Sequence, residues 1–277
     1  MQLTCRNKIL SLHRPGVMGI LNLTPDSFYD GGQLKDDRSL LLQAERMLRE
    51  GAALLDVGGM SSRPGALLLS PTEELQRVQP AVHLLLQYFP DCILSIDTLQ
   101  ASVAEACLQT GAHLINDISA GTYDHRMLEV VSTHGAAYCL MHMQGLPHSM
   151  QEQPAYTDVV QEVAAFFIQR VAACTQAGIR HLVLDPGFGF GKTQAHNYTL
   201  LRYLRALAPP HLPLLCGVSR KSMVYKVLQS GPKEALNGTT VLHTLALLQG
   251  AHILRAHDVR EAQEAILLTE AYRQTES

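Results

Sequence analysis

Short apolar runs alternate with amphipathic stretches along nearly the whole chain. Eight of the runs are apolar at both odd and even positions, which is typical of a parallel strand covered on both faces. We therefore predict eight strands, in the runs GVMGIL (16–21), ALLDVG (53–58), CILSI (92–96), HLINDI (113–118), AAYCLM (136–141), HLVLD (181–185), LPLLCGVS (212–219) and HILRA (252–256).

The segments between these runs carry helix-start signals. Ser70, followed by a proline and then by Glu73, forms the pattern of a capping box, in which side chains satisfy the free backbone donors of a helix N-terminus. A second helix is predicted to begin at Asp158 and to continue to residue 178 with an apolar face. Asp258 and Glu261 repeat the opening pattern near the end of the chain, so another helix start is expected there.

The predicted helices also have recognisable ends, because a glycine stands shortly before five of the runs. Glycine suits the left-handed backbone conformation that commonly ends a helix. The five positions are Gly51, Gly111, Gly135, Gly178 and Gly250. Strand and helix alternating eight times predict an α/β chain folded as a (β/α)8 TIM barrel, with a single domain over residues 1–277. A doubly wound open sheet is the alternative.

Two connections are too long to be simple turns. They cover about residues 22–36, after the first run, and about residues 59–71, after the second. Long connections in a compact domain are usually functional, and in a barrel the loops that follow strands stand at the catalytic end. Both connections are therefore predicted to be active-site loops.

Composition and charge argue against several classes of function. The 277 residues are 47% apolar and 17% charged, and a net charge of −3 does not suit a general nucleic-acid-binding protein. No 18-residue apolar run and no signal-peptide-like start occur, so no membrane association is expected. Six scattered cysteines without a C-x-x-C pair indicate a reduced, cytoplasmic protein.

Polar side chains follow every one of the eight runs. Because barrel enzymes carry their chemistry at the carboxyl ends of the strands, these side chains are expected to converge on one site. In chain order they are Asn22, Asp56, Ser61, Ser62, Arg63, Asp97, Thr98, Asn116, Asp117, His142, Asp185, Lys192, Ser219, Arg220, Lys221, Arg255, His257 and Asp258. A single member can be a structural group or a helix cap, an interpretation that suits Asp117 and Asp258, but eight converging sets indicate a site.

These side chains divide into two kinds of chemistry. Asp97, Asn116 and Asp185 leave apolar strands, and a buried carboxylate needs donors to balance its charge. A heterocycle with adjacent amino and ring N–H groups would supply two parallel hydrogen bonds, whereas an ion pair of Asp185 with Lys221 alone is the simpler alternative. A second, cationic group favours a phosphate or pyrophosphate near the rim of the barrel. Its members are Arg63, Arg220, Lys221, Arg255 and His257.

The glycine-rich stretch LDPGFGFGKT (184–193) ends like a nucleotide-binding P-loop. That pattern needs four residues between its first glycine and the Gly-Lys pair, and Gly187 leaves only three before Gly191. Position 186 is a proline, which lacks the N–H that a phosphate cradle uses. Nucleotide binding is therefore not expected. The glycines are expected to turn the backbone sharply after Asp185, while Lys192 is left without a role.

Together these motifs resemble the dihydropteroate synthase family of pterin-binding TIM barrels in the bacterial folate pathway. The matching segments, in the family's order from about residue 16 to 275, are VMGILNLTPDSFYDGG, DVGGMSSRPGA, SIDT, INDI, CLMHMQGLPHSMQ, LDPGFGFGK, GVSRKS and GAHILRAHDV. The resemblance implies a transferase that joins 7,8-dihydropterin-6-ylmethyl pyrophosphate to 4-aminobenzoate and releases pyrophosphate. It also implies a target of sulfonamides and a homodimer formed through late helices.

The resemblance implies a role for each matching position. The pterin would be held by Asp97, Asn116, Asp185 and Lys221, and the pyrophosphate by Asn22, Ser62, Arg63, Arg255 and His257. The 4-aminobenzoate site would be bordered by Phe28, Ser62, Pro64, Phe190, Ser219 and Lys221. Asn22 would ligate Mg²⁺. The catalytic groups would be Arg63, Lys221, Arg255 and His257, and no protein nucleophile is expected, because neutralising the leaving pyrophosphate is enough.

Three departures from the family pattern are visible. Met60 stands where the family usually has Glu, Ser62 where it has Thr, and Leu99-Gln100 where it often has Ser-Lys. Only Ser62 bears on aminobenzoate and sulfonamide affinity, because a methyl group is lost there. Two alternatives are a pterin-binding methyltetrahydrofolate methyltransferase, which has no use for the SSRPG and SRKS segments, and a catalytically silent relative, which would typically lack site charges.

Overall fold

The structure, a computed structural model, describes residues 1–23, 33–60, 68–145, 150 and 154–275. Strands and helices alternate along the chain, as the hydrophobic pattern predicts. The strands are β1 (Gln2–Cys5), β2 (Lys8–Ser11), β3 (Gly16–Asn22), β4 (Ala52–Gly58), β5 (Leu94–Asp97), β6 (Leu114–Asp117), β7 (Ala137–Met141), β8 (Leu182–Asp185), β9 (Leu215–Cys216) and β10 (Ile253–Ala256). The helices are α1 (Gln33–Arg49), α2 (Pro71–Tyr88), α3 (Ala101–Thr110), α4 (Met127–Thr133), α5 (Val159–Gln176), α6 (Gln194–Arg202), α7 (Ser222–Tyr225), α8 (Leu236–Leu248) and α9 (Val259–Gln274).

Eight parallel strands form one curved sheet in the order β8-β7-β6-β5-β4-β3-β10-β9. A parallel bridge between Leu184 and Leu214 joins its two outer ends, where the N–H of Leu184 donates to the carbonyl of Pro213 at 2.9 Å. The sheet thereby closes on itself, with the helices placed between successive strands. The predicted TIM barrel is confirmed, and the alternative of an open doubly wound sheet is wrong.

The seventh predicted strand is much shorter than its apolar run. The run covers residues 212–219, but β9 contains only Leu215 and Cys216. Pro213 has no N–H to donate to a ladder, which explains why regular pairing does not extend further towards the start of the run. At its other end the chain leaves the sheet at Gly217, beside the mouth of the barrel.

All three predicted helix starts are confirmed, and two of them have a side-chain cap. The Ser70 hydroxyl accepts from the N–H of Glu73 at 3.3 Å, and the Glu73 carboxylate accepts from the N–H of Ser70 at 3.0 Å. Asp158 accepts from two N–H groups in the first turn of α5. α9 begins directly after Asp258, as predicted, although the Asp258 side chain makes no capping hydrogen bond. Its carboxylate binds the guanidinium of Arg220 instead, at 2.8 and 2.9 Å.

The glycines predicted to end helices all have positive φ angles. The values are 99° at Gly51, 123° at Gly111, 59° at Gly135, 87° at Gly178 and 91° at Gly250. An L-amino acid with a side chain rarely adopts this conformation, so glycine is the least strained choice. The glycine positions in the sequence therefore set the helix lengths.

An antiparallel hairpin of β1 and β2 precedes the barrel, and the hydrophobic pattern did not predict it. Leu3, Cys5 and Leu10 of the hairpin are buried against residues near the amino ends of the barrel strands, such as Met18 and Leu54. The hairpin thus closes the floor of the barrel, opposite the ends that carry the polar residues. A separate apolar layer packs the helices onto the outside of the strands.

All six cysteines are buried and free, where a thiol packs as a small apolar side chain. None of the helices among the described residues is long and apolar enough to cross a membrane.

Candidate active site

A small polar pocket opens at the carboxyl ends of the barrel strands. It is lined by Asp97, Asn116, Ile118, Met141, Asp185, Phe190, Gly217, Lys221 and Arg255. The four residues predicted to hold a pterin therefore come together in one place, with the predicted pyrophosphate ligand Arg255 beside them. Ser219, His257 and Asn22 lie outside this lining. A wider cavity at the opposite face of the barrel, around Arg205 and His252, is far from these groups.

An ion-pair network fills the back of this pocket. Nε of Arg255 donates to Oδ2 of Asp56 at 2.7 Å, and one Nη of the same guanidinium donates to Oδ2 of Asp97 at 2.8 Å. Asn116 donates from Nδ2 to Asp56 at 3.0 Å, and the Ser95 hydroxyl donates to Asp56 at 2.5 Å. Asp56 is wholly buried, and its charge is matched by these three donors.

The sequence pattern predicted that Asp56 follows an apolar run at a strand end, but it indicated no function for Asp56 or for Ser95. The signal was present, because each interrupts an otherwise apolar run, ALLDVG or CILSI. A buried polar side chain needs a partner, and these two residues supply one to each other across neighbouring strands. The cation that balances Asp56 was not predictable, since Arg255 stands 199 residues further along the chain.

Asn116 presents an acceptor that the protein does not use. Its Nδ2 is bonded to Asp56, but its Oδ1 is buried and has no hydrogen-bond partner within the part of the chain that the structure describes. Buried polar atoms are nearly always satisfied, and an orphaned one at the wall of a pocket indicates a ligand donor. The pocket therefore requires an N–H or O–H group at this point.

Both carboxyl groups of the pocket have raised pKa values. Burial raises the pKa of Asp97 to about 7, although the charge of Arg255 opposes the shift. Burial likewise raises the pKa of Asp185, and the charge of Lys221 opposes that shift. Additional donors from a bound ligand would favour the charged form of both groups.

The simple ion pair of Asp185 with Lys221 is not what the structure contains. The Asp185 carboxylate accepts from the N–H of Gly187 at 2.8 Å, while the Lys221 ammonium donates to the carbonyl of Phe188 at 2.6 Å. The ammonium also lies 4.7 Å from the centre of the Phe190 ring, a cation–π distance. Burial lowers the pKa of Lys221 to about 8, and the charge of Asp185 opposes this shift.

The glycine-rich loop after β8 is shaped by the segment after β7. Gly187 and Gly191 have φ angles of 67° and 60°, and a Cβ on them would lie 2.0 and 2.3 Å from the carbonyl oxygens of His142 and Gln144. No side chain fits at such distances. The glycines thus serve a close approach of two backbones. The Lys192 ammonium points at protein carbonyl groups, which agrees with the prediction that this stretch is not a P-loop.

One member of the predicted cationic group is committed elsewhere. Arg220 forms a two-pronged ion pair with Asp258 and donates to the carbonyl groups of Pro232 and Lys233, each at 3.0 Å. Its guanidinium is held by the protein itself, so the interpretation of Arg220 as a phosphate ligand is wrong. The neighbouring Ser219 hydroxyl accepts from the N–H of His257 at 3.2 Å, which links the ends of two strands at the rim.

Several predicted site residues lie on or near the long loops. Phe28, Ser62, Arg63 and Pro64 fall outside the described residues, as do most of the loops 22–36 and 59–71. Asn22 is half-buried at the end of β3, in register with Gly58. Within the described residues, no cluster of three or more His, Cys, Asp or Glu side chains is placed to hold a metal ion.

Comparison with known proteins agrees with this geometry. The family of pterin-binding enzymes matches residues 18–257. Dihydropteroate synthase from Escherichia coli strain K12 is 47% identical over 273 residues, covering 98% of this chain and 96% of the relative. The enzyme from Haemophilus influenzae is 42% identical and covers 98% of both chains.

Solved structures give the same answer. A Yersinia pestis dihydropteroate synthase in a sulfonamide drug complex has a TM-score of 0.92 and 48% identity, covering 99% of this chain and 100% of the other. A Xanthomonas albilineans dihydropteroate synthase with 4-aminobenzoic acid has a TM-score of 0.91 and 39% identity, covering 98% of both. The fold is therefore shared over nearly the whole chain, and this chain belongs to the dihydropteroate synthases of the pterin-binding enzyme family.

Proposed function

We propose that this protein condenses 7,8-dihydropterin-6-ylmethyl pyrophosphate with 4-aminobenzoate, giving 7,8-dihydropteroate and pyrophosphate. Membership of the dihydropteroate synthases makes it a transferase. The observation that carries the substrate assignment is the unused, buried Oδ1 of Asn116 between Asp97 and Asp185. Three acceptors around one small pocket suit a ring that carries several N–H groups, which is the chemistry of a pterin.

The pterin would be held edge-on by these acceptors. Asp185 would accept from the amino group and the adjacent ring N–H, Asn116 would accept through Oδ1, and Asp97 would take a further ring donor. Two carboxyl groups with raised pKa values gain most from such donors, because hydrogen bonds to the charged form offset their burial. Lys221 would border the ring from the side of Gly217.

The pyrophosphate would be bound at the cationic rim. Arg255 uses two of its five donors on Asp56 and Asp97, and we propose that a remaining donor contacts the leaving group. His257, Ser62 and Arg63 would complete the set. Charge that is fixed in place before the reaction stabilises a developing anion without any reorganisation.

Asn22 is the proposed protein ligand of a magnesium ion bound together with pyrophosphate. One amide oxygen at the end of β3 fits this role, because Mg²⁺ commonly takes one or two protein ligands and completes its shell with phosphate oxygens and waters. Bound there, the ion would supply further neutralisation of the leaving group.

The bond change needs no protein nucleophile. The electron-rich dihydropterin stabilises positive charge at its exocyclic methylene as the C–O bond to pyrophosphate breaks. The neutral arylamine then forms the new C–N bond and loses a proton. The roles of the chain are to fix the ring, to neutralise pyrophosphate through Arg63, Arg255 and His257, and to exclude water with the loops 22–36 and 59–71.

The 4-aminobenzoate would lie against the outer wall of the pocket. Phe190 offers a flat apolar face there, with the Lys221 ammonium 4.7 Å from its ring centre. Ser219, two residues before Lys221 in the chain, would border the same site, and Phe28, Ser62 and Pro64 would close it from the loops. The related Xanthomonas structure contains 4-aminobenzoic acid and the Yersinia structure a sulfonamide, which supports the same ligand classes for this chain.

A coupled assay tests this function. Purified protein with Mg²⁺ should release pyrophosphate when both the pterin pyrophosphate and 4-aminobenzoate are present, and not with either one alone. Methyl transfer from methyltetrahydrofolate to a corrinoid protein, in place of pyrophosphate release, would contradict the proposal. Binding of a pterin without any turnover would point to a catalytically silent relative.

We also propose a homodimer, formed through the last two long helices. Apolar side chains are exposed at helical spacing on α8 and α9, which pack against each other. They are Val241, Leu245 and Leu248 on α8, and Leu267, Leu268 and Tyr272 on α9. A contiguous apolar patch of this kind marks an interface. Light scattering on Leu268→Glu, a residue that is 73% exposed, should show monomers where the parent chain shows dimers.

A single domain over residues 1–277 and a cytoplasmic location complete the proposal. The barrel strands extend from Gly16 to Ala256, and the remaining hairpin and last helix pack directly onto them. Six free, buried cysteines suit a reducing compartment.

A further inference from the structure

Burial lowers the pKa of Lys192 to about 7, and the charge of Asp185 opposes this shift. The partners of this lysine are carbonyl oxygens and a histidine ring nitrogen. Only 3% of its surface is exposed. Its ammonium donates to the carbonyl groups of Phe190 at 2.9 Å, Gly187 at 3.0 Å and His142 at 3.2 Å. It also lies 3.0 Å from Nδ1 of His142. Burying an ammonium group is costly, and the hydrogen bonds to these acceptors offset part of that cost.

The histidine in this contact acts as an acceptor. Burial, together with the charge of Lys192, lowers the pKa of His142 to about 3, so the ring is neutral at physiological pH. Nδ1 then accepts a hydrogen bond from the lysine. The edge of the ring packs against Phe166 of α5, with the ring centres 4.9 Å apart, so its orientation is fixed by a neighbouring helix.

These contacts join two loops that leave adjacent strands. His142 follows β7, and Gly187 and Phe190 belong to the loop that follows β8. The same two loops meet at Gly187 and Gly191, where only glycine permits the approach of the backbones. Lys192 therefore ties the glycine-rich loop to its neighbour from the inside.

The tied loop carries groups of both proposed substrate sites. Its Gly187 N–H binds the Asp185 carboxylate, and its Phe188 carbonyl accepts from the Lys221 ammonium. Phe190 lines the pocket. A shift of this loop would therefore move the pterin acceptor and the aminobenzoate wall together.

We propose that Lys192 is a positioning residue for substrate binding: its ammonium fixes the 186–191 loop and thereby sets the affinity for the pterin and for 4-aminobenzoate. It touches neither substrate. The inference rests on the proposed function for the identity of the two ligands, but the geometry of the loop does not depend on it.

Lys192→Met tests the proposal, because methionine keeps most of the length of the side chain and removes the donors. The Kd for 6-hydroxymethylpterin, measured by calorimetry, and the KM for the aminobenzoate substrate should each rise about tenfold, while kcat falls less than about threefold, as expected for lost binding. Lys226→Met, which changes an exposed lysine at the end of α7, is the matched control and should leave all three values unchanged.

A purely structural lysine would behave differently. In that case Lys192→Met would lower Tm and leave the Kd and KM unchanged, which overturns the proposal. A fall in kcat with unchanged KM would also overturn it, since it would mean a role in the chemical step.

If Lys192→Met does not fold, two less disruptive substitutions at His142 test the same proposal. His142→Gln retains an acceptor and should keep the parent affinities, whereas His142→Leu removes it and should raise the Kd and KM. Equal affinities in the two variants would overturn the proposal. Calorimetry on the parent protein separates this test from the proposed function, because pterin binding is measured without turnover.

Discussion

Arg255 and Asp56 form a 2.7 Å ion pair inside the mouth of the barrel, although 199 residues separate them in the chain. The pair joins β10 to β4 across β3. Arg255 lines the pocket, whereas Asp56, which holds its guanidinium in place, does not. The cation proposed to bind the leaving group is thus held by a residue that does not touch the substrate.

Asp56→Asn should lower turnover more than pterin affinity. Asparagine keeps one acceptor oxygen, for either Ser95 or Arg255 but not both, and it removes the charge that holds the guanidinium. Arg255 is therefore expected to be less well oriented. Loss of an oriented charge in an active site commonly costs about tenfold or more in kcat. Steady-state kinetics with calorimetry of a pterin ligand measure the two effects. Asp91→Asn changes a fully exposed carboxylate and serves as the control.

An unchanged kcat in Asp56→Asn would show that Asp97 alone orients Arg255 and would remove the positioning role of Asp56. An equal loss of turnover and pterin affinity would instead indicate that the variant disturbs the whole pocket, which a lowered Tm would confirm.

Arg255→Ala should also lower turnover more than pterin affinity, and by a larger factor than Asp56→Asn, because it removes the proposed contact to pyrophosphate. A fall in kcat of roughly a hundredfold is expected for one lost electrostatic donor. Pterin affinity should change less, since Asp185 and Asn116 remain. Arg255→Lys keeps the charge but not the planar, two-pronged donor geometry, so its kcat should lie between those of the parent protein and Arg255→Ala. If affinity and turnover fell equally in Arg255→Ala, the arginine would be a structural counter-charge to its two carboxylates.

Asp185→Asn should abolish pterin binding and leave the fold intact. The substitution keeps an acceptor for the Gly187 N–H but replaces a charge-assisted contact to the pterin edge with an amide that offers donors of its own. Hydrogen bonds to charged groups contribute about 1.5–3 kcal/mol each, so two of them account for a loss of at least a hundredfold. Calorimetry with a pterin ligand measures it, and an unchanged Kd would refute the assignment.

Asp117→Asn is the matched comparison, since Asp117 is another buried carboxylate at a strand end. Its oxygens accept from Ser119, from the N–H of Gly121 and from the Tyr138 hydroxyl at 2.6 Å. All of these partners belong to the protein, so the residue is structural, one of the two interpretations that the sequence allowed for it. In Asp117→Asn the side-chain NH2 group would face hydrogen-bond donors in place of acceptors. The substitution should therefore lower the free energy of unfolding by about 1–3 kcal/mol, with little effect on pterin affinity.

The hydrophobic pattern predicted the barrel because its strands are apolar on both alternations, a property that depends on local sequence alone. The β1–β2 hairpin was missed for the opposite reason. Its strands have four residues each and face the floor with one side only, so no long run marks them. The ends of seven strands also followed from the runs to within one residue, the exception being β9. This is why Asp97, Asn116, Asp185 and Lys221 could be placed in one mouth.

Pairing among those polar residues was not predictable from the runs. Arg220 looked like a phosphate ligand because it follows a strand, but its charge is paired with Asp258. Asp56 received no role because its partner lies on another strand far along the chain. A strand end fixes where a side chain begins, whereas its partner depends on side-chain directions that only the folded barrel defines.

Pterin binding should strengthen as the pH rises through about 7, because it depends on ionised Asp97. Burial raises the pKa of this carboxyl to about 7, so at pH 6 the free protein carries mostly the protonated group, which accepts ligand N–H groups poorly. Between pH 6 and 7.5 the group loses its proton, and the affinity for 6-hydroxymethylpterin should increase by several-fold.

Folding stability should change in the opposite sense over this range. The folded protein holds on to the Asp97 proton at pH values where the unfolded chain, with its ordinary carboxyl pKa of 3.8, has released it. The contribution of this group to the free energy of unfolding is therefore largest below about pH 4 and falls as the pH rises towards 7. Calorimetric Kd values and Tm values for the parent and for Asp97→Asn measure both trends. If the pH dependence of the Kd survived in Asp97→Asn, another group would be responsible.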